Sequence, residues 1–191
     1  LLGFVEVVLE VGGRRLFGPL SFSVTGPERI AVTGPNGSGK TSLLELATGR
    51  RAPTAGRVHR AQGAIAMLDQ HVGLLDPALD LVANLRRHHP ELDDNGAHAA
   101  LARFAFRNKD ARRLAVTLSG GEQLRAGLAV ALSGACPPQL LILDEPTNHL
   151  DIDAIETLEA ALADFDGALL VVSHDRHFLE AIGIEGQIML G

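Results

Sequence analysis

The stretch Gly34-Pro35-Asn36-Gly37-Ser38-Gly39-Lys40-Thr41 decides the fold of this chain, because it matches the pattern G-x-x-x-x-G-K-[ST]. An apolar run, residues 30–33, precedes it, and helix-forming residues follow from Ser42. Glycines suit such a loop because backbone N–H groups must close around a phosphate at φ angles that a Cβ atom would obstruct. The order of strand, glycine-rich turn and helix start therefore predicts a phosphate-binding loop.

The same motif predicts how a nucleoside triphosphate would be held. The positive end of the following helix faces the phosphates, Lys40 is expected to reach the β- and γ-phosphates, and the Thr41 hydroxyl to bind Mg²⁺. The predicted nucleotide-binding residues of this segment are Gly34, Pro35, Asn36, Gly37, Ser38, Gly39, Lys40, Thr41 and Ser42.

Composition limits the other functions of the chain. Its 191 residues, 46% of them hydrophobic, are enough for one domain with a substantial core. Seventeen Lys and Arg against 23 Asp and Glu give a net charge of -6, the wrong sign for a domain held on nucleic acid by its overall charge. Aromatic residues make up only 4%, without Trp or Tyr, so no stacking platform for bases is expected.

Cellular context follows from what the sequence lacks. Cys136 is the only cysteine, so an intrachain disulfide is impossible and a cytoplasmic location is expected. No run approaches the roughly 18 consecutive apolar residues of a membrane helix, so no direct membrane insertion is expected. The sequence starts at Leu1 without a methionine, and we therefore expect a fragment of a longer chain.

Apolar runs predict an α/β fold in which a parallel sheet is flanked by helices. An edge strand over residues 4–11 and strand-like pieces at 16–17 and 21–24 predict an N-terminal antiparallel β layer. Short strands are predicted at residues 30–33, 57–60, 63–68, 139–143, 168–172 and 187–190. Helices are predicted at residues 42–48, 79–87, 97–106, 123–132 and 153–165, with Gly49 as the C-cap of the first and the polar residues 93–96 as a break before the third.

A small helical subdomain is predicted over about residues 76–118, where the composition changes. It contains a series of basic residues that form either a partner-facing surface or, as the pattern favours, a solvated helix face. These residues are Arg86, Arg87, Arg103, Arg107, Lys109, Arg112 and Arg113.

Two further motifs extend the nucleotide site. The buried strand at 139–143 delivers Asp144, expected to share Mg²⁺ with Thr41, and Glu145, expected to polarise a water for attack on the γ-phosphate. Ser119-Gly120-Gly121, at the start of a helix, makes a second anion site. One ATP does not require two helix N-termini far apart in sequence, so this second site is expected to serve an ATP bound to another copy of the domain.

Together these motifs resemble the nucleotide-binding domain of the ATP-binding cassette (ABC) superfamily. The runs Asp144-Glu145-Pro146-Thr147-Asn148-His149-Leu150-Asp151 and Ser173-His174-Asp175-Arg176-His177-Phe178-Leu179 resemble its ABC-F branch. Members of that branch are soluble, act in translation or antibiotic resistance, and carry two cassettes in one polypeptide. The resemblance covers essentially all 191 residues and implies one ABC-type domain with its P-loop sheet, β layer and helical subdomain.

The resemblance also implies roles for individual residues. Gln70 resembles the glutamine that contacts Mg²⁺ and the attacking water, and His174 the histidine that hydrogen-bonds the γ-phosphate; with Glu145 they form the expected catalytic set. Ser119-Gly120-Gly121 resembles the signature that caps the γ-phosphate of the partner's ATP. Asp151 resembles the aspartate that links the two sites across the dimer.

One position departs from the family. Where an aromatic residue usually stacks on adenine, just before the early Gly-Gly, this chain has Val11. We therefore expect Val11 to provide a plain apolar contact, with Phe17 as a candidate substitute for the missing ring.

The resemblance implies an ATPase in which Mg·ATP closes two cassettes head to tail and hydrolysis reopens them. The second cassette belongs either to the same polypeptide or to a homodimer, and slow turnover is expected of the isolated domain. The ribosome is the implied target of the full-length protein. Only a few residues follow His174, and this favours the second cassette of a tandem over the first.

Three other functions share these motifs. The ATP-binding subunit of a membrane transporter is the main alternative, and Asn148-His149 argues against it. A genome-maintenance ATPase would carry a coiled coil or zinc module between Thr41 and Asp144, a stretch too short for either. A non-catalytic nucleotide-gated module is disfavoured because the expected catalytic residues are all present.

Overall fold

The computed structural model describes residues 1–68, 73–135, 137–148 and 150–191. Its contacts divide the chain into two compact units. The sheet unit comprises residues 1–67, 138–145 and 165–191, and the helical unit comprises residues 68–137 and 146–164. Among the described residues, none of the helices combines the length and apolar character that a membrane span needs.

The described residues form strands and helices close to the predicted ones. The strands are β1 (Leu2–Val11), β2 (Arg14–Val24), β3 (Arg29–Thr33), β4 (Ala55–Arg60), β5 (Ile65–Leu68), β6 (Leu140–Asp144), β7 (Ala168–Val172) and β8 (Gly186–Met189). The helices are α1 (Lys40–Thr48), α2 (Leu81–His88), α3 (Asp94–Arg103), α4 (Gly120–Leu132), α5 (Ile152–Ala163) and α6 (Arg176–Ala181). Short 3₁₀ turns cover Asn108–Arg112 and Ala115–Thr117.

A five-stranded sheet in the order β5-β6-β7-β3-β8 forms the centre of the nucleotide fold. β7 pairs in parallel with both β6 and β3, and β3 pairs in parallel with β8. Every residue of β6 and β7 is buried, and all but Asp144 at the end of β6 are apolar, as is typical of central parallel strands. The predicted α/β class with a parallel sheet is therefore confirmed.

The N-terminal strands form a separate antiparallel layer in the order β2-β1-β4, as predicted. The prediction that the first strand lies at an edge is wrong, because β1 is the central strand of this layer. Its second partner, β4, has the sequence AGRVHR, with five exposed residues and one half-buried valine. So polar a segment gives no sequence signal that it pairs with β1.

A β-bulge interrupts β1 at Glu6, whose φ is 49°. Two glycines on the flanking strands make room for the displaced backbone. A Cβ atom at Gly18 would lie 2.4 Å from the Val7 carbonyl oxygen, and one at Gly56 would lie 2.2 Å from the Glu6 carbonyl oxygen. The bulge therefore fixes both neighbours as glycine.

Helix α1 packs on the sheet unit's core through a continuous buried face of Leu43, Leu44, Leu46 and Ala47. It ends at Gly49, in the left-handed conformation at φ 79°, and this predicted C-cap is confirmed. Arg60 of β4 donates from Nε to the carbonyl oxygens of Leu46 and Ala47 at 3.1 and 3.0 Å. A cation on these last carbonyls fixes the helix that begins at the predicted phosphate loop.

The helical unit has its own apolar core, which includes Leu81, Leu85, Leu101 and Phe106. Asp93-Asp94-Asn95-Gly96, predicted as a break between helices, instead starts α3. Asp93 is the N-cap, and its carboxylate accepts a hydrogen bond from Gly96 N at 2.7 Å. The polar residues that suggested a loop are therefore those that a helix start prefers.

Helix α6 was not predicted. It has six residues and only Phe178 is buried, so it carries too little apolar periodicity to detect. Asp175 caps it by accepting a hydrogen bond from Phe178 N at 3.1 Å.

The bulge predicts unequal effects for two alanine substitutions at similar φ. Gly13 and Gly56 have φ of +78° and +83°, but a Cβ atom meets nothing within 4 Å at Gly13. We expect Gly13→Ala to lower the free energy of unfolding by about 1 kcal/mol, the cost of left-handed backbone. Gly56→Ala should lose about 1–3 kcal/mol more through overpacking. Urea denaturation of both variants measures this difference in the free energy of unfolding. Equal losses would contradict the close contact of Gly56 with the bulged backbone at Glu6.

Candidate nucleotide-binding site

Sheet topology brings three predicted motifs to one edge of the sheet unit. β3, β7 and β6 are adjacent and parallel, and Val172 of β7 is level with Val32 and Asp144. The residues that follow these three strands therefore emerge side by side. They are the phosphate loop (residues 34–41), the Ser173-His174 turn and Glu145. Ligands of open α/β sheets bind at this carboxyl edge.

Left-handed backbone, together with close packing at two of them, explains the glycines of the phosphate loop. Gly34, Gly37 and Gly39 have φ of 147°, 80° and 95°. A Cβ atom at Gly34 would lie 2.3 Å from the Leu190 carbonyl oxygen, and one at Gly39 would lie 2.9 Å from the Phe17 ring. At Gly34 and Gly39 any other residue would push the loop off the core beneath it, whereas at Gly37 a Cβ atom meets nothing within 4 Å and only the positive φ favours glycine.

The loop presents several donors to an anion. Helix α1 begins at Lys40, with no side-chain cap and no acidic residue in its first turn, so its N-terminal N–H groups remain available to an anion. Lys40 Nζ donates to the carbonyl oxygens of Gly34 and Pro35 at 2.9 and 3.2 Å, which holds the ammonium over the loop. Ser38 Oγ is buried and has no hydrogen-bond partner among the described residues, as expected of a group that a phosphate would satisfy.

Glu145 and His174 are brought together at the same edge. Glu145 Oε1 lies 3.3 Å from His174 Nε2, and their side chains are 16% and 59% exposed. Glu145 has φ 48°, and its N–H donates to the Val172 carbonyl at 2.8 Å. Left-handed backbone at a non-glycine residue is strained and is typical of functional sites.

The turn after β7 fixes the position of His174. Ser173 is buried, and its hydroxyl accepts a hydrogen bond from Asp175 N at 3.1 Å. His174 lines a cavity of about 710 Å³ together with Gly34 and Pro35. The imidazole and the start of the phosphate loop therefore face the same space.

The donor set at this edge fits Mg²⁺. Asp144, the buried last residue of β6, supplies a carboxylate, and Thr41, in the first turn of α1, supplies a hydroxyl. Mg²⁺ prefers oxygen ligands and takes few from the protein when it is bound with a nucleotide. Gln70, the third predicted ligand, lies outside the described residues, as does His149.

The two candidate adenine contacts differ in accessibility. Val11, at the end of β1, is 44% exposed, so its side chain is free to contact a base. Phe17 is 5% exposed and packs beneath Gly39. The suggestion that Phe17 replaces the aromatic stacking residue is therefore wrong, because its ring belongs to the core under the phosphate loop.

In the helical unit, Ser119-Gly120-Gly121 starts α4 as predicted. Ser119 is the N-cap of a capping box: its hydroxyl accepts from Glu122 N at 3.3 Å, and the Glu122 carboxylate accepts from Ser119 N at 2.8 Å. A Cβ atom at Gly121 would lie 2.6 Å from the Ala154 Cβ atom. Gly121 thus permits close contact between α4 and α5.

Asp151 is the N-cap of α5, and its carboxylate accepts from Ala154 N at 2.9 Å. Because Ala154 also packs against Gly121, the structure brings Asp151 close to the start of α4. These two predicted elements therefore form one local surface of the helical unit.

Sequence reasoning missed one ion pair beside this surface. Arg113 binds both oxygens of Glu122, with Nη1–Oε1 and Nη2–Oε2 distances of 2.5 and 3.0 Å. The guanidinium holds the pKa of the Glu122 carboxyl below its usual range, and the carboxylate raises the pKa of Arg113. The two residues are nine positions apart on different elements, so no local pattern indicates the pair.

Four of the seven basic residues singled out from the sequence are neutralised within the helical unit. Arg86 pairs with Asp94, Arg87 with Asp76, Arg112 with Asp80 and Asp94, and Arg113 with Glu122. These pairs favour the interpretation of an ion-paired helix surface.

Comparisons with known proteins agree with this site. The family model described as "ABC transporter" matches residues 17–148, more than half of the chain. The chain is 37% identical to the "ATP-binding protein Uup-like" of Haemophilus influenzae over 97% of its own length and 41% of the relative's. It is 39% identical to "ATP-binding protein Uup" of Escherichia coli and 38% identical to "ABC transporter F family member 3" of Arabidopsis thaliana.

These last two matches cover 92% and 88% of the chain but only 28% and 24% of the relatives. The chain thus spans less than half the length of these curated relatives. Among solved structures, it resembles the ATP-binding cassette MJ0796, described as dimeric in a post-hydrolysis state bound to ADP and Pi. The TM-score is 0.81 at 22% identity, with 100% of this chain and 94% of the other covered, so this likeness concerns the fold.

The Arg113–Glu122 pair predicts a pH dependence. Since the pKa of Glu122 is lower in the folded chain, its stabilising effect is complete above the unfolded pKa of about 4.3. The effect is lost as the pH falls through the lower folded pKa. We expect wild type to exceed Glu122→Gln in free energy of unfolding at pH 7, and the difference to shrink below about pH 4. Urea denaturation at both pH values measures this; a constant difference would contradict it.

Proposed function

This chain belongs to the ABC transporter family of ATP-binding cassettes, in its ABC-F branch, and from that premise we propose that it hydrolyses Mg·ATP as one half of a head-to-tail clamp. The observation that carries the hydrolytic part is the contact between Glu145 and His174 at the edge that also holds the phosphate loop. An acidic side chain beside a nucleotide's γ-phosphate is in the position that a water-activating group needs.

In the proposed reaction, the phosphate loop and Lys40 hold and orient the triphosphate. Glu145 orients a water and takes up its proton as the water oxygen bonds to the γ-phosphorus and the bond to the bridging oxygen breaks. His174 donates a hydrogen bond to the γ-phosphate and, through its contact with Glu145, keeps that carboxylate in place. The products are ADP and phosphate.

Mg²⁺, when bound, neutralises charge on the β- and γ-phosphates. The residues that would hold it are Thr41 and Asp144, and we propose Gln70 as a further contact to the metal and the water. Val11 would provide an apolar contact to adenine, which is weaker than aromatic stacking.

The clamp itself is proposed from the second anion site. Ser119-Gly120-Gly121 would cap the γ-phosphate of a partner cassette's ATP, and Asp151, packed near the start of α4, would link the two sites. The solved structures that share this fold include dimeric cassettes. Because each site would be completed by its partner, we expect slow hydrolysis by the isolated domain.

For the full-length protein we propose a cytoplasmic, ribosome-associated ABC-F ATPase that acts in translation or antibiotic resistance, with this domain as one of its cassettes. Its support is the similarity to Uup and to an ABC-F family member. The alternative is the ATP-binding subunit of a membrane transporter. It would be favoured if the neighbouring gene encoded a permease.

We expect Lys40→Ala to abolish ATP binding, because the substitution removes the cation held over the phosphate loop. The other lysine of the chain, Lys109, is exposed in the helical unit and offers a matched control. Isothermal titration with ATP in the presence of Mg²⁺ should therefore show binding by wild type and Lys109→Ala only. Unchanged affinity of Lys40→Ala would remove the phosphate loop from nucleotide binding.

We expect Glu145→Gln to bind ATP but release no phosphate, because the amide cannot take up the proton of the attacking water. With ATP trapped, the same variant should shift from monomer to dimer in light scattering when Mg·ATP is added. Glu185→Gln, at an exposed glutamate, should retain wild-type turnover. Full phosphate release by Glu145→Gln would refute the role of Glu145, and a monomer with ATP bound would refute self-association of the isolated chain.

A further inference from the structure

The second anion site contains a negative charge of its own. Glu122 lies in the first turn of α4, and its carboxylate accepts the Ser119 N–H at 2.8 Å. A carboxylate there stabilises the helix, but it also repels any phosphate that approaches the same N–H groups. The first turn of α1, at the phosphate loop, has no acidic residue. A site that binds phosphate at α4 therefore needs a counter-charge.

Arg113 supplies that charge. Its guanidinium forms the two parallel bonds to Glu122, a geometry that pairs a whole carboxylate with one cation. Nη2 also donates to the Thr117 carbonyl at 3.2 Å, two residues before Ser119. The guanidinium is thus fixed both to the carboxylate and to the backbone that leads into the site.

We propose that Arg113 is a positioning residue of the Ser119-Gly120-Gly121 site, where it neutralises Glu122 so that the N-terminus of α4 accepts the phosphates of a partner's ATP. The inference rests on the proposed function of this site. It adds a residue outside the motif and separates two roles of Glu122. The glutamate's geometry completes the capping box, whereas its charge opposes the ligand.

Substitution by glutamine separates the geometric role of Glu122 from the role of its charge. Glutamine at this position of a capping box also accepts the N-cap N–H, so Glu122→Gln keeps the geometry and removes the charge. In that background Arg113 has no carboxylate to neutralise. Asp110 also acts on the charge of Arg113. Arg112, the adjacent residue, pairs with Asp80 and Asp94 instead.

A purely structural role predicts a different pattern. If the ion pair only fastens the segment before α4, loss of either partner should weaken the site equally, and the double substitution should not restore it. A charge-compensating role predicts that Arg113→Gln weakens anion binding, that Glu122→Gln does not, and that the double variant recovers.

The test is a titration of the ¹⁵N-labelled chain with inorganic pyrophosphate, followed through the amide signals of Ser119, Gly120 and Gly121. We expect Arg113→Gln to raise the dissociation constant at these amides about tenfold. Glu122→Gln and the double variant should stay within about twofold of wild type, or bind more tightly. Arg112→Gln is the matched control and should leave these amides unaffected. The amides of the phosphate loop report a separate anion site in every sample and show that the chain is folded.

Each outcome decides the proposal. Recovery in the double variant supports it; failure to recover, an unaffected Arg113→Gln, or no response of these amides in wild type overturns it. The clamp is judged separately, from the ATP-dependent dimer of Glu145→Gln. If the amides follow the expected pattern but no dimer forms, the proposed clamp is refuted and the neutralisation of Glu122 by Arg113 is supported. If the dimer forms and the addition of Arg113→Gln does not weaken it, the proposed role of Arg113 is refuted and the clamp is supported.

Discussion

The close approach of the phosphate loop to the core beneath it is the constraint on which the nucleotide site depends. Gly34 lies against the backbone of Leu190, and Gly39 lies against the ring of Phe17. Neither contact leaves room for a Cβ atom, so both positions require glycine, and α1 begins directly after Gly39, at Lys40. The Phe17 ring is therefore a core residue that supports the phosphate loop, and it does not offer a surface on which a base could stack.

The motifs predicted from the sequence are those whose cause is local. Residues 168–172 form β7 with the predicted bounds, because five apolar residues between polar turns allow only a buried strand. The glycine C-cap of α1 follows in the same way from Gly49, whereas the helix begins at Lys40, two residues before its predicted start. The convergence of the phosphate loop with Glu145 and His174 could also be expected, since parallel strands deliver their following residues to one edge.

Three features that the sequence did not reveal depend on partners elsewhere in the chain. The central place of β1 is set by β4, a segment that was predicted as a strand at residues 57–60 but whose polar sequence does not indicate that it pairs with β1. The left-handed backbone of Glu145 is imposed by its bond to Val172, a residue of the neighbouring strand. The Arg113–Glu122 pair likewise forms only when the segment before α4 folds against its first turn. In each case a long-range contact decides the conformation, and composition cannot anticipate it.

The N-termini of α1 and α4 are both proposed to receive phosphate, but they differ in how they avoid repulsion between the phosphate and acidic side chains. At α1, strained glycines and Lys40 leave the N–H groups without any acidic neighbour, so the affinity for phosphate is built into the loop. At α4, Glu122 occupies the first turn and Arg113 cancels its charge, so the helix start is stabilised by its own capping box before any ligand arrives. An anion there must be satisfied by the remaining N–H groups and the Ser119 hydroxyl alone. In the proposed clamp, such a site would bind weakly by itself and would gain strength when a second surface presents the phosphate, which is the behaviour that a reversible clamp requires.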